Sequence, residues 1–246
     1  MTVRSSDSYN LKDIEYNYKY INEQIENACI KAGRNRNDVT FLSAVKTVPA
    51  DVINYAISLG LDHIGENKVQ ELLSKYDDYN LDKASLHFIG HLQSNKVRQI
   101  VDKVDLIQSV DSVKLASEIS KRSLALNRVT DILIEVNIGR EENKSGVLPE
   151  QTYELIDEIK SFEGISVKGL MTIPPICEKD CENNKFFSMI YNLFIDISSK
   201  KLDNVNMNVL SMGMSDDYVQ AILNGATLVR IGSALFGKRI YNNGGI

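Results

Sequence analysis

The sequence predicts an α/β protein: a single-domain TIM (β/α)8 barrel with an additional N-terminal helix. Three observations predict it. Eight short apolar runs of strand character start at residues 40, 62, 86, 105, 131, 166, 206 and 227. Amphipathic stretches separate them, and each interval has room for one βα unit, the arithmetic of a closed barrel in a chain of 246 residues. Only four prolines and 14 glycines occur, and nowhere is the chain Pro/Ser/Gly-rich enough for an interdomain linker. A doubly wound open sheet competes, but eight near-even units favour closure. Residues 1–246 therefore read as one barrel domain, with 1–35 as a helix packing on it.

The elements follow in order. Leu11, Ile14, Tyr18, Ile21, Ile25, Ala28 and Cys29 recur at three- and four-residue steps, and Gly33 is a natural helix stop. Strands are expected at 40–45, 62–65, 86–90, 105–108, 131–136, 166–170, 206–210 and 227–231. Their runs are too continuously apolar for an antiparallel sheet wetted on one face. Helices are expected at 50–59, 68–75, 95–103, 113–126, 151–162, 184–200 and 218–223.

Composition narrows the function. The chain is 43% hydrophobic and 25% charged, enough to bury a core without staples. Its 28 basic and 33 acidic residues give a net charge of −5, against a dedicated nucleic-acid binder. No apolar run approaches the roughly 20 residues of a membrane span, and the first ten residues lack a signal-peptide core. Three cysteines, Cys29, Cys177 and Cys181, imply no disulfide framework. A cytoplasmic protein, free of membrane and nucleic acid and monomeric, is expected.

Barrel chemistry sits where strands pass into βα loops. Lys46 ends strand 1, after a run in which only Ser43 is polar. A lysine on the barrel wall is suited to Schiff-base chemistry; alternatively it extends to water, as most basic residues do. The loops after strands 7 and 8 commonly hold phosphate in such barrels, and here they offer the Ser211 hydroxyl with Gly213, Gly232 and Ser233. The plainer alternative is a helix N-cap at Ser215 and a tight turn at Gly232. Arg230, on the last strand, needs a partner if buried, either a carboxylate such as Glu135 or a ligand atom. His87 and His91 lack companion ligands for a metal site, and Cys177 and Cys181 form only an isolated pair. Tyr16, Tyr18 and Tyr20 read as a packing face of the first helix rather than a base-stacking platform.

Six segments carry a resemblance. AVKTVP (44–49), IGENKVQE (64–71), HFIGHLQSNK (87–96), VNI with NKSG (136–138, 143–146), GLMTI (169–173), and LSMGMSDD with VRIGSALFG (210–217, 229–237) resemble the pyridoxal phosphate homeostasis proteins. That family is similar to the barrel domain of alanine racemase, a fold-type III protein that binds pyridoxal 5′-phosphate (PLP), without its second β domain. The resemblance implies a protein that binds PLP reversibly and keeps the free cofactor low and available, with apo PLP-dependent enzymes as recipients. It implies that Lys46 forms the Schiff base and that Arg230 faces the pyridine nitrogen. Ser211, Gly232 and Ser233 would hold the phosphate, and Asn67 and Met212 would line the pocket. One departure is Val48, where family members often carry a second lysine.

Two features argue against strong catalysis. PLP is a powerful electron sink when its ring nitrogen is protonated, and an arginine beside that nitrogen disfavours protonation. Racemase-like enzymes also take a second base, a tyrosine, from near the missing domain, and none of the 11 tyrosines here is an evident substitute. The runner-up function is a weak PLP-dependent amino-acid racemase, and a third is a cofactor-free aldolase using Lys46 on a sugar phosphate.

Overall fold

Eight parallel strands close into a barrel in strict chain order: β1 (Thr40–Ala44), β2 (His63–Glu66), β3 (Ser85–Phe88), β4 (Leu106–Val110), β5 (Thr130–Glu135), β6 (Ile165–Met171), β7 (Val205–Ser211) and β8 (Leu228–Ile231). The computed structural model describes residues 6–175 and 180–237. Closure is made by β8 on β1, with Leu42 opposite Arg230 and Ser43 opposite Ile231. Register shifts interrupt the β4–β5, β5–β6 and β6–β7 pairings.

Helices α1 (Leu11–Lys31), α2 (Ala50–Ser58), α3 (Val69–Lys75), α4 (Val97–Ile100), α5 (Val113–Ala125), α6 (Thr152–Ile159), α7 (Asp180–Ser199), α8 (Tyr218–Leu223) and α9 (Ser233–Phe236) complete the alternation. The expected strands all lie within two residues of their observed bounds. The helix expected at 95–103 is shorter: a 3-10 turn over Ser94–Lys96 opens it, and after Ile100 the chain turns, with Lys103 N bonded to Ile100 O. Cys177 lies outside the described residues, and so does the side chain of Cys181. Cys29 is buried as a free thiol.

Alternation along the strands sorts the core into two layers. Phe41, Ile64, Phe88, Ile107, Ile132, Leu170, Leu210 and Val229 face outward into one continuous cluster with helix residues such as Ile53, Leu72, Ile119 and Ile156. The alternate positions point inward. Leu42, Ile89 and Leu228 form one small interior cluster with Ala44 and Val209, and Leu106, Leu133 and Met171 form another with Ile173 and Val209. One step above these inward positions, strands 1, 2 and 8 deliver Lys46, Asn67 and Gly232 to the C-terminal mouth.

The N-terminal helix packs on the barrel as expected. Its stripe Ile14, Ile21, Ile25, Ala28 and Cys29 is buried, each large aliphatic side chain contributing roughly 1.5–3 kcal/mol of burial. Asn10 caps its start, and after Gly33 (φ +67°) Arg34 turns to donate to Ala226 O at 2.8 Å. Asn17 Nδ2 donates to Leu235 O at 3.0 Å, which ties α1 to the end of the barrel. The expected tyrosine face divides. Tyr18 stacks on Phe41, but Tyr16 and Tyr20, four residues apart on the opposite face, stack on each other in the open at 69% and 50% exposure.

Candidate functional site

A cleft at the barrel mouth is lined by Lys46, Thr47 and Val48 from the β1–α2 loop and by Gly232, Ser233 and Phe236 from the end of β8. The β8–β1 closure brings these segments together, although they are far apart in sequence. Gly232 is required by that approach: a Cβ there would lie 2.9 Å from Ala44 O. Lys46 is half-buried in the turn that follows β1. Thr47 adopts φ +67°, a left-handed conformation costing a β-branched residue roughly 1–2 kcal/mol.

Ser215 has a different place from the expected one. It does not cap α8, whose N-cap is Asp217. Its hydroxyl crosses to the last loop, accepting from Gly232 N and Ala234 N at 3.2 Å each. The β7 and β8 loops are thereby joined beside the cleft. Sequence spacing does not show this, because the contact depends on how the loops after neighbouring strands β7 and β8 fold over one another.

Below the mouth runs a buried polar chain. Arg230 donates to the Ser211 hydroxyl oxygen (2.5 Å) and to Thr172 O (2.8 Å). Ser211 in turn donates to Gln108 Oε1 (2.7 Å), and Gln108 Nε2 lies 2.9 Å from His87 Nδ1. Burial pushes the His87 pKa down to about 3, so the ring is neutral and its Nδ1 accepts from the amide. That fixes the amide orientation and uses the Ser211 proton, leaving the Ser211 oxygen as an acceptor for Arg230. Ser211 therefore stands between Arg230 and Gln108 in this chain.

Arg230 is 4% exposed, and among the described residues no carboxylate lies within 4 Å of it. Burial lowers its pKa to about 10, opposed at longer range by Glu135 and Asp217, so it stays charged at neutral pH. The expected alternative of a direct pair with Glu135 is not what forms. Glu135 itself is pushed up to about 7, by burial first and by Asp111 second, with Arg230 pulling the other way.

Asn67 follows β2, and its Oδ1 is shielded from solvent without a hydrogen-bond partner among the described residues. Met212 corrects an expectation: it sits in the outward core cluster, fully buried against the helices, and its N–H is spent on Leu228 O. It lies one position out of phase with the inward set. Among the described residues no group of His, Cys, Asp and Glu is arranged to hold a metal ion. His91 instead lies 3.2 Å from Ser145 Oγ, linking two mouth loops.

Lys75 went unremarked in the sequence because a lysine near a helix end reads as solvated. It is 5% exposed and pairs with the fully buried Glu66. The signal available was its spacing: Glu71 and Lys75 are one helical turn apart, on the α3 face that turns toward the barrel.

Comparison with known proteins bears on this arrangement. The family model described as the alanine racemase N-terminal domain matches residues 10–240. The pyridoxal phosphate homeostasis protein of Aquifex aeolicus is 46% identical over 89% of this chain and 95% of its own. The crystal structure of an unknown protein from Bifidobacterium adolescentis superposes with a TM-score of 0.88 at 32% identity, covering 96% of this chain and 98% of that one. PipY of Synechococcus elongatus, solved with PLP bound, gives a TM-score of 0.75 at 30% identity over 81% of this chain and 93% of its own.

Proposed function

This chain belongs to the pyridoxal phosphate homeostasis protein family, and on that premise we propose that it binds PLP reversibly through a Schiff base on Lys46. By holding and releasing the cofactor it contributes to intracellular PLP (vitamin B6) homeostasis. The observation that carries this reading is the cleft in which Lys46 meets Gly232 and Ser233. An amine and a set of close-approaching backbone groups are what an aldehyde-bearing phosphate ester requires at its two ends.

The residues present fit that group. Among the described residues, Asn67 Oδ1 is a shielded acceptor without a donor and Arg230 is a buried cation with no carboxylate within 4 Å. When bound, PLP supplies an aldehyde that condenses with amines and a ring that withdraws electrons if its nitrogen is protonated. Lys46 presents the condensing amine. Ser233 binds the phosphate where Gly232, lacking a Cβ, allows the close approach, and Ser215 holds that loop through the Gly232 and Ala234 N–H groups. Arg230, fixed by Ser211 and Thr172 O, keeps a positive charge on the ring side and withholds any proton acceptor from it. Met212 supports the wall from behind.

That electrostatic arrangement favours storage over catalysis. The proposal extends to apo PLP-dependent enzymes as recipients and to a monomeric, cytoplasmic protein. Among the described residues no helix is long and apolar enough to cross a membrane. Glu135, held near neutrality in the barrel, favours the second reading of weak amino-acid racemisation, since a carboxylate at that pKa is a competent base.

The test is the visible absorbance spectrum of protein mixed with PLP, wild type beside Lys46→Ala. Wild type should develop a band that reports the covalent link, and the variant should not. Equal spectra would overturn the assignment.

A further inference from the structure

The binding reading leaves unused a buried charged cluster on β2 and α3, and every part of it bears on the segment that carries Lys46. Lys75 Nζ donates to the carbonyls of Val45 (3.3 Å) and Val48 (3.2 Å), the residues flanking Lys46 and Thr47. It also bonds Glu71 Oε1 at 3.0 Å and pairs with Glu66. Glu71 Oε1 accepts the N–H of Thr47, the residue with the left-handed backbone. Tyr79 donates to Glu66 Oε1 at 2.6 Å, and that glutamate is wholly buried. A helix that only needed to pack would be served by leucine at position 75; burying two charges of opposite sign is costly unless their bonds are needed.

We propose that Lys75 is a positioning residue: held by Glu66 and Glu71, it fixes the backbone of residues 45–48 and thereby places the Lys46 amine for capture of an aldehyde. The proposal rests on the reading of Lys46 as the capturing residue. In capture the lysine nitrogen gives its lone pair to the aldehyde carbon. The carbonyl oxygen leaves as water with both nitrogen protons, and a carbon–nitrogen double bond remains. The reaction requires the amine to approach that carbon from one direction, so a loop free to sample several backbone states loses rate even where the lysine is intact. Residues 45–48 read Val-Lys-Thr-Val, so no neighbouring amine in the segment can substitute.

The experiment compares wild type, Glu71→Gln, Lys75→Met and the double variant Lys75→Met with Glu66→Gln. The double variant removes both buried charges and so keeps a foldable core. Three quantities are read: amide hydrogen exchange of residues 45–48 without cofactor, the rate of the absorbance change on mixing with PLP, and affinity for pyridoxine 5′-phosphate. The last has an alcohol where PLP has its aldehyde and reports ring and phosphate binding without covalent capture. In the folded variants, exchange should rise and capture should slow by about tenfold or more, the effect of losing a charge-assisted hydrogen bond. Pyridoxine 5′-phosphate affinity should stay within about twofold of wild type, because the ring and phosphate contacts are untouched. Unchanged capture in the double variant overturns the proposal, as does a parallel fall in capture and pyridoxine 5′-phosphate affinity, the mark of general damage. Wild-type protein that captures PLP on another lysine overturns the binding reading instead, while the exchange data still report whether the clamp exists.

Discussion

The Arg230 guanidinium donates to the Ser211 hydroxyl oxygen at 2.5 Å, and the Ser211 O–H donates in turn to Gln108 Oε1. This pairing separates the ring end of the proposed site from its phosphate end. Ser211→Ala should therefore weaken PLP and pyridoxal alike, whereas Ser233→Ala should weaken PLP selectively. Removing the Ser211 acceptor should also cost roughly 1–3 kcal/mol of stability, since a buried cation loses a partner. Spectrophotometric titration with the two vitamers measures the ratio. A loss confined to PLP in Ser211→Ala would return that serine to the phosphate.

Gly232→Ala places a methyl 2.9 Å from Ala44 O and must displace either β8 or the Lys46 loop. Phosphate binding should fall with a loss of stability of about 1–3 kcal/mol, typical of overpacking. Thermal unfolding and pyridoxine 5′-phosphate titration read the two effects, and an unaltered pair would show that the close approach is dispensable.

Two buried groups set opposing pH dependences. The Glu135 pKa is raised to about 7, so its contribution to stability is complete below its ordinary value near 4.5 and is lost as pH rises to 7. The His87 pKa is depressed to about 3, so its contribution is present above its ordinary 6.5 and is lost as pH falls toward 3. Between pH 4.5 and 6.5 the two partly cancel in wild type. Glu135→Gln removes one of them, so its stability should gain on wild type steadily as pH rises from 4.5 to 7. Denaturant midpoints across that range check this; a pH-independent difference would place Glu135 in solvent-like surroundings.

Arg230 also decides between storage and catalysis. With holo-protein, solvent deuterium should enter the Cα position of L-alanine and L-serine slowly in wild type. Arg230→Gln and Arg230→Glu, where they retain PLP, should exchange faster, the glutamate more so because it can share a proton with the ring. Rapid racemisation by wild type would favour the Glu135 reading over storage.

The barrel was legible because each strand is a short apolar run and each helix keeps its spacing, so the starts at 40 to 227 locate eight units. The places of Lys46, Gly232 and Ser233 at the barrel mouth were legible for the same reason, since a residue's position at a strand end follows from counting. What counting misses is the direction in which a side chain points and what meets it across the barrel. The resemblance puts Met212 at the pocket wall, whereas alternation from Leu210 and Ser211 turns its side chain outward. Ser215 acts 17 and 19 residues away and Lys75 27 to 30 residues away, through contacts that only the packed tertiary structure creates. Tyr16 and Tyr20 were grouped with Tyr18, but two residues along a helix is a change of face.

The central claim is that Lys46 is the residue that captures PLP, and borohydride trapping tests it most directly. Wild-type protein is mixed with PLP, reduced, digested and mapped by mass spectrometry. The account predicts the pyridoxyl group on Lys46, with the label lost in Lys46→Ala and no compensating gain elsewhere. A label found chiefly on Lys75, Lys144 or another lysine, with Lys46 unmodified, would contradict it.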